Sequence, residues 1–187
     1  MQFKKLKKLN KGDKVAIVSP STVAPAIWPA VYELGLKRVR EVFELEPVEM
    51  NFTCKKGATR EQRGQDLIDA FRNPEIKTVI STLGGDDQVT YIKNLPKDVF
   101  AQNPKPFFGY SDNTHFINHL WLCGVPAFYG GALFTEFAMQ VQMDDFTIKY
   151  LKYALFGNGE YELEASKEFN DMGLNWFDES LLNTRRR

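Results

Sequence analysis

Short apolar runs alternate with amphipathic stretches along most of this chain. Val15–Ser19 (Val-Ala-Ile-Val-Ser) is a β-branched run of strand length, the pattern of a strand buried on both faces. In Ile27–Phe43, Val31, Leu34, Val39, Val42 and Phe43 recur at three- and four-residue intervals and predict a helix, with Gly35 its weak point. Pro47–Met50 reads as a second strand and Cys54–Ala58 as a loop. Thr59-Arg60-Glu61-Gln62 has the form of a capping box, so a helix starts there, buries Leu67, Ile68 and Phe71, and stops at Asn73-Pro74. Thr78–Thr82 is the next buried strand. Gln88–Lys93 predicts a short helix, Asp98–Asn103 a turn or helix, and Pro106–Tyr110 another strand.

Beyond it, His115–Cys123 reads as a helix, Ala127–Tyr129 as a strand, and Phe134–Val141 and Phe146–Phe156 as helices. Tyr161–Ala165 alternates apolar and charged residues like an edge strand, and after Ser166 the pattern dissolves. Strands alternating with helices imply an α/β fold: a three-layer domain with a mainly parallel sheet flanked by helices. Ligand sites in such sheets lie beyond the carboxyl ends of the strands. Three distinctive turns fall there, at Pro20–Thr22, Gly84–Asp87 and Tyr110–Thr114. Their convergence makes Ser21, Gly84 and Asp86 candidate substrate contacts.

Composition narrows the class. At 187 residues the chain fits about one domain. Twenty-four basic against 24 acidic residues leave no net field to attract nucleic acid or an anionic membrane. The lysines at 4, 5, 7, 8 and 11 and the run Arg185–Arg187 read as solvated tails. No apolar segment suits a signal peptide or a membrane span, and two cysteines, Cys54 and Cys123, build neither a disulfide framework nor a metal knuckle. A cytoplasmic setting is expected.

The chemistry concentrates in Lys105–Thr114 (Lys-Pro-Phe-Phe-Gly-Tyr-Ser-Asp-Asn-Thr). An apolar strand runs into Gly109, a bulky residue, and then Ser111 before a helix. One reading is a nucleophile elbow, where a tight strand-to-helix turn lifts a hydroxyl clear of the sheet and leaves the next amide, Asp112, to bind an oxyanion. The plainer reading is that Ser111 caps the helix. Gly84-Gly85-Asp86-Asp87 is equally open. Gly85 can offer a second oxyanion amide. The turn also resembles the nucleotide-binding turn of NAD kinases and phosphofructokinases, with Asp86 or Asp87 as base or metal ligand; or it is simply a tight turn. His115 and His119 share a helix face at i,i+4, but no third ligand accompanies them, so neither a metal nor another cofactor is expected. A triad histidine normally comes from another segment, so His115 is not expected to serve Ser111. Phe128-Tyr129 and Trp176-Phe177 are candidates to line a groove.

Taken together, Gly12-Asp13 before a strand ending in Ser19-Pro20-Ser21, then Ser81–Asp87, Lys105–Thr114 and Gly124–Gly131, make the chain resemble the N-terminal domain of the LD-carboxypeptidase family of serine peptidases, which includes the microcin C7 immunity peptidases. The resemblance covers Leu9 to Phe156. It implies a Ser-His-Glu hydrolase with Ser111 as nucleophile and the amides of Asp112 and Gly85 as the oxyanion hole. It implies cleavage of an amide next to a terminal carboxylate, either terminal D-alanine of muropeptides or the acyl linkage of processed microcin C7, in the cytoplasm and without a metal. The family's catalytic Glu and His lie in a separate C-terminal domain, and neither His115 nor His119 takes that position. Residues 1–165 then form the nucleophile domain, and 166–187 a linker or the start of another. The implied partners are a small peptide with a terminal carboxylate and a second copy or a C-terminal domain. The expected consequences are negligible activity of this chain alone and bare apolar surface around Phe134–Val141 or Trp176-Phe177. Two other functions stand beside this one: a nucleotide-binding, kinase-like domain, and a non-catalytic peptide-binding module.

Overall fold

The computed structural model describes residues 2–169 and 175–184. Five strands, β1 (Lys14–Val18), β2 (Glu46–Glu49), β3 (Ile76–Ser81), β4 (Phe107–Gly109) and β5 (Phe128–Tyr129), pair in parallel in the order β2-β1-β3-β4-β5. The helices are α1 (Pro29–Phe43), α2 (Arg60–Arg72), α3 (Val89–Ile92), α4 (Lys97–Gln102), α5 (Thr114–Leu122) and α6 (Asp145–Phe156).

The two-residue period of the strands divides the core. Val15, Ile17, Ile80 and Phe108 point to one face, where they pack with Val31, Val39 and Phe43 of α1 and with Leu151 and Leu155 of α6. Ala16, Val18, Val79 and Phe107 point to the other, against Leu67 and Phe71 of α2, Phe100 of α4 and Phe116 of α5. This is the three-layer α/β arrangement that the alternation of elements implies. Its strand order is one of the common doubly wound ones, whose ligand crevice opens between β1 and β3. The capping box forms as read: the Gln62 amide donates to Thr59 Oγ1 at 3.3 Å and the Thr59 amide to Gln62 Oε1 at 3.1 Å. At the other end of α2, the Lys105 ammonium donates to the carbonyls of Ala70 and Asn73, satisfying helix-terminal acceptors.

Two predicted elements differ. Phe134–Val141 forms no α-helix; a short π-helical turn at Leu133–Phe137 is followed by irregular chain. Phe134 and Phe137 are fully buried against α1, so the apolar spacing reports burial rather than an amphipathic helix. Tyr161–Ala165 is exposed and joins no sheet. The expected bare patch is correspondingly reduced. Trp176 packs edge-on against Trp28 and Phe134, leaving Val141 and Phe177 as exposed apolar residues there. Lys4, Lys5, Lys7, Lys8 and Lys11 are exposed, whereas Arg185–Arg187 lie outside the described residues. Among the described residues no helix is long and apolar enough to cross a membrane.

Candidate active site

At the carboxyl end of β4 the chain turns sharply. Tyr110 is extended, and Ser111 then adopts φ 59°, the left-handed region that an L-residue enters only at a cost. A single helical turn, Ser111–Asn113, leads into α5. The turn leaves Ser111 exposed while Asp112 and Asn113 point inward and are buried.

Those two inward side chains hold the turn. Asp112 Oδ2 accepts from the Ser21 hydroxyl and from the Gln88 amide at 3.0 Å. Asn113 Nδ2 donates to Ser81 Oγ at 3.2 Å and to the Leu83 carbonyl at 3.1 Å. Gln88, fully buried, completes the clamp: its Nε2 donates to Asn113 Oδ1 at 3.0 Å and its Oε1 accepts from the Phe116 amide at 2.9 Å. Three strand ends, β1, β3 and β4, are thereby tied together, as the crevice rule anticipates.

The glycine turn lies directly against the serine. A Cβ added to Gly84 would sit 2.9 Å from Ser111 Cβ, 3.0 Å from its Oγ and 3.4 Å from the Asp112 nitrogen, so no side chain fits there. At Gly85 a Cβ would meet the hydroxyls of Ser21 and Thr22. Among the described residues, nothing in the chain accepts from the amides of Asp112 or Gly85. The site thus presents an exposed hydroxyl on a constrained backbone, faced by a turn stripped of side chains.

Other candidates are placed differently. Ser21 is buried and its hydroxyl is committed to Asp112, which makes it part of the support beneath the turn. Asp86 is exposed. Asp87 is held by Arg63, whose Nη1 and Nη2 reach its two oxygens at 2.9 and 2.6 Å, and by Arg60 Nε at 3.2 Å. Arg63 keeps the Asp87 carboxyl below its ordinary pKa. That engagement leaves Asp87 unsuited to act as the base of a nucleotide-transfer site.

His115 Nε2 lies 3.6 Å from Asp112 Oδ1, and no bond joins it to Ser111. His119 is buried against Phe100 and Phe116 with Nε2 unpartnered, and burial lowers its pKa. The described residues contain no cluster of three or more metal-ligating side chains. The clamp residues Gln88 and Asn113, with Arg63 behind them, were not singled out from sequence. Only Asn113, between Asp112 and Thr114 at a helix start, carried any local signal.

Comparison with known proteins bears on the family and the fold. Residues 15–130 match the LD-carboxypeptidase N-terminal domain of the peptidase S66 family. The putative carboxypeptidase YocD of Bacillus subtilis is 29% identical over 168 residues, covering 88% of this chain and 51% of that protein. The microcin C7 self-immunity protein MccF of Escherichia coli is 28% identical over 134 residues, covering 70% and 39%. In three dimensions the chain matches the wild-type apo structure of MccF with a TM-score of 0.87 at 25% identity, over 93% of this chain and 54% of that one. It matches an MccF-like protein from Bacillus anthracis with a TM-score of 0.85 at 28% identity, over 97% and 54%. The chain spans about half the length of the curated relatives it matches. A parallel sheet whose β4 runs into an exposed serine, joined to a family match over residues 15–130, places this chain in the LD-carboxypeptidase family through its N-terminal domain.

Proposed function

We propose that this chain is the nucleophile-bearing part of a serine hydrolase that cleaves an amide beside a terminal carboxylate. Ser111 is the nucleophile. The amides of Asp112 and Gly85 form the oxyanion hole, with Gly84 kept bare to make room for the developing charge. Asp86, exposed at the rim of the turn, and Gly84 contact the substrate, and Ser21 acts from below through Asp112. The single observation that carries this reading is the left-handed Ser111 with Gly84 packed on its hydroxyl. A helix cap needs neither feature, because a cap residue takes ordinary extended dihedrals.

The relatives' names, a microcin C7 self-immunity protein and a probable murein peptide carboxypeptidase, support two substrate classes, microcin C7-like conjugates and murein peptides; a cytoplasmic setting is part of the proposal. A hydroxyl needs a general base, and among the described residues no histidine bonds Ser111. The base therefore comes from a second segment or a second copy, which is the partner this reading requires. Without it, turnover falls by about 10⁴–10⁶-fold, while the oxyanion hole retains about 10³–10⁴ over water.

Prolonged exposure of the chain to an alkyl fluorophosphonate, followed by peptide mapping, tests this. The expected adduct is on Ser111 in preference to every other serine, with no measurable muropeptide turnover. Modification spread as in the unfolded chain would overturn the nucleophile assignment, and brisk Ser111-dependent hydrolysis would overturn the requirement for a partner.

A further inference from the structure

A cavity opens between β5 and α6, with a volume of about 410 Å³, at the lower end of what small-molecule sites occupy. Its walls are mostly apolar, and five of the thirteen residues lining it are aromatic. Phe128 stacks on Phe108 at 4.5 Å, Phe146 and Tyr150 pair at 4.6 Å, and Tyr129 stands exposed at the rim. Two carboxylates reach it. Glu164 already holds Lys149 at 2.8 Å. Glu136 has no cation among the described residues; it accepts from the Thr135 hydroxyl at 2.7 Å and interacts with Tyr110. Burial raises its pKa, as it does for a carboxylate facing apolar walls without a counter-charge.

We propose that this cavity binds a small organic cation, an ammonium or guanidinium on an apolar body, with Glu136 as counter-ion and the aromatic rings around the body. An aromatic lining favours a cation over a neutral group of the same shape, and a desolvated carboxylate gains most from a partner that neutralises it. The cavity adjoins the elbow, since Glu136 interacts with Tyr110 and the Gly130 amide donates to the Gly109 carbonyl at 2.9 Å, but none of its lining residues is assigned a part in the chemistry of Ser111, so it is tested without that chemistry.

The test is titration of the chain, followed by amide NMR, with 2-phenylethylammonium, 3-phenylpropan-1-ol and 3-phenylpropionate. The cation is expected to perturb residues 128–131 and 147–154 and to bind about tenfold more tightly than the alcohol, with the anion weakest. Glu136→Gln removes that preference, and Glu164→Gln, whose carboxylate is already paired, leaves it. Should Glu136→Gln fail to fold, Thr147→Trp at the cavity mouth is expected to block the cation with Glu136 intact. Equal affinity for cation and alcohol overturns the proposal. So does a preference that survives Glu136→Gln, binding unaffected by Thr147→Trp, or perturbations elsewhere on the chain.

Discussion

The left-handed Ser111 makes a quantitative demand on stability. An L-residue in this region costs about 1–2 kcal/mol, whereas glycine enters it freely but loses about 0.5–1 kcal/mol of chain entropy on folding. Ser111→Ala keeps the backbone strain and Ser111→Gly releases it. Both lack the hydroxyl, so their difference isolates the backbone. The glycine variant is expected to be more stable than the alanine variant by about 0.5–1 kcal/mol, or roughly 1–4 °C in a domain of this size. Glu44 at the end of α1, with φ 54°, supplies a comparator, because nothing proposes chemistry there. Glu44→Gly should exceed Glu44→Ala by a similar margin. Thermal and urea unfolding of the four variants measures both differences. If Ser111→Gly is no more stable than Ser111→Ala while the Glu44 pair behaves as expected, the elbow is not strained and the structural basis of the nucleophile assignment falls. Neither Ser111 variant should give the fluorophosphonate adduct at position 111.

The other predictions concern the turn facing the serine and a buried carboxylate on α2. Gly84→Ala places a methyl 3.0 Å from Ser111 Oγ, in the room left for the developing charge, so by crowding the oxyanion off its donors it should slow fluorophosphonate modification of Ser111 by up to about 10²–10³-fold, at about 1–3 kcal/mol of stability. Labelling at the wild-type rate would show that the oxyanion does not form beside Gly84. Asp66 is 1% exposed and accepts from the Phe52 amide, and burial lifts its pKa from 3.8 to about 6. Between these values the folded chain holds a proton that the unfolded chain releases, so wild-type stability falls as pH rises through the window. Relative to wild type, Asp66→Asn should therefore gain up to about 3 kcal/mol between pH 4 and pH 7. A difference that stays flat across that range in urea titrations would refute the shift.

How much of this was legible in the sequence depends on the range of the interaction concerned. The strands of the sheet, the capping box at Thr59 and the turn at Ser111 are set by neighbours within a few residues, and periodicity or turn chemistry reveals them. Phe134–Val141 misled because buried irregular chain and an amphipathic helix can share one apolar spacing; contact with α1 decides between them. At Tyr161–Ala165 the alternation is present, but a strand also needs a neighbour to pair with, and none is supplied. The harder question was which polar groups are free to react. Ser21 and Asp87 have the residue types of a catalytic site, yet one is spent on Asp112, 91 positions away, and the other on Arg63, 24 positions away. Gln88 has no local signature, although it joins the glycine turn to the elbow through Asn113 and Phe116. Buried polar groups must be paired, so the clamp absorbs its own members and leaves Ser111 as the exposed hydroxyl at this junction. The sequence places candidate residues at the strand ends; only the long-range pairing distinguishes the residue that remains available from those already committed.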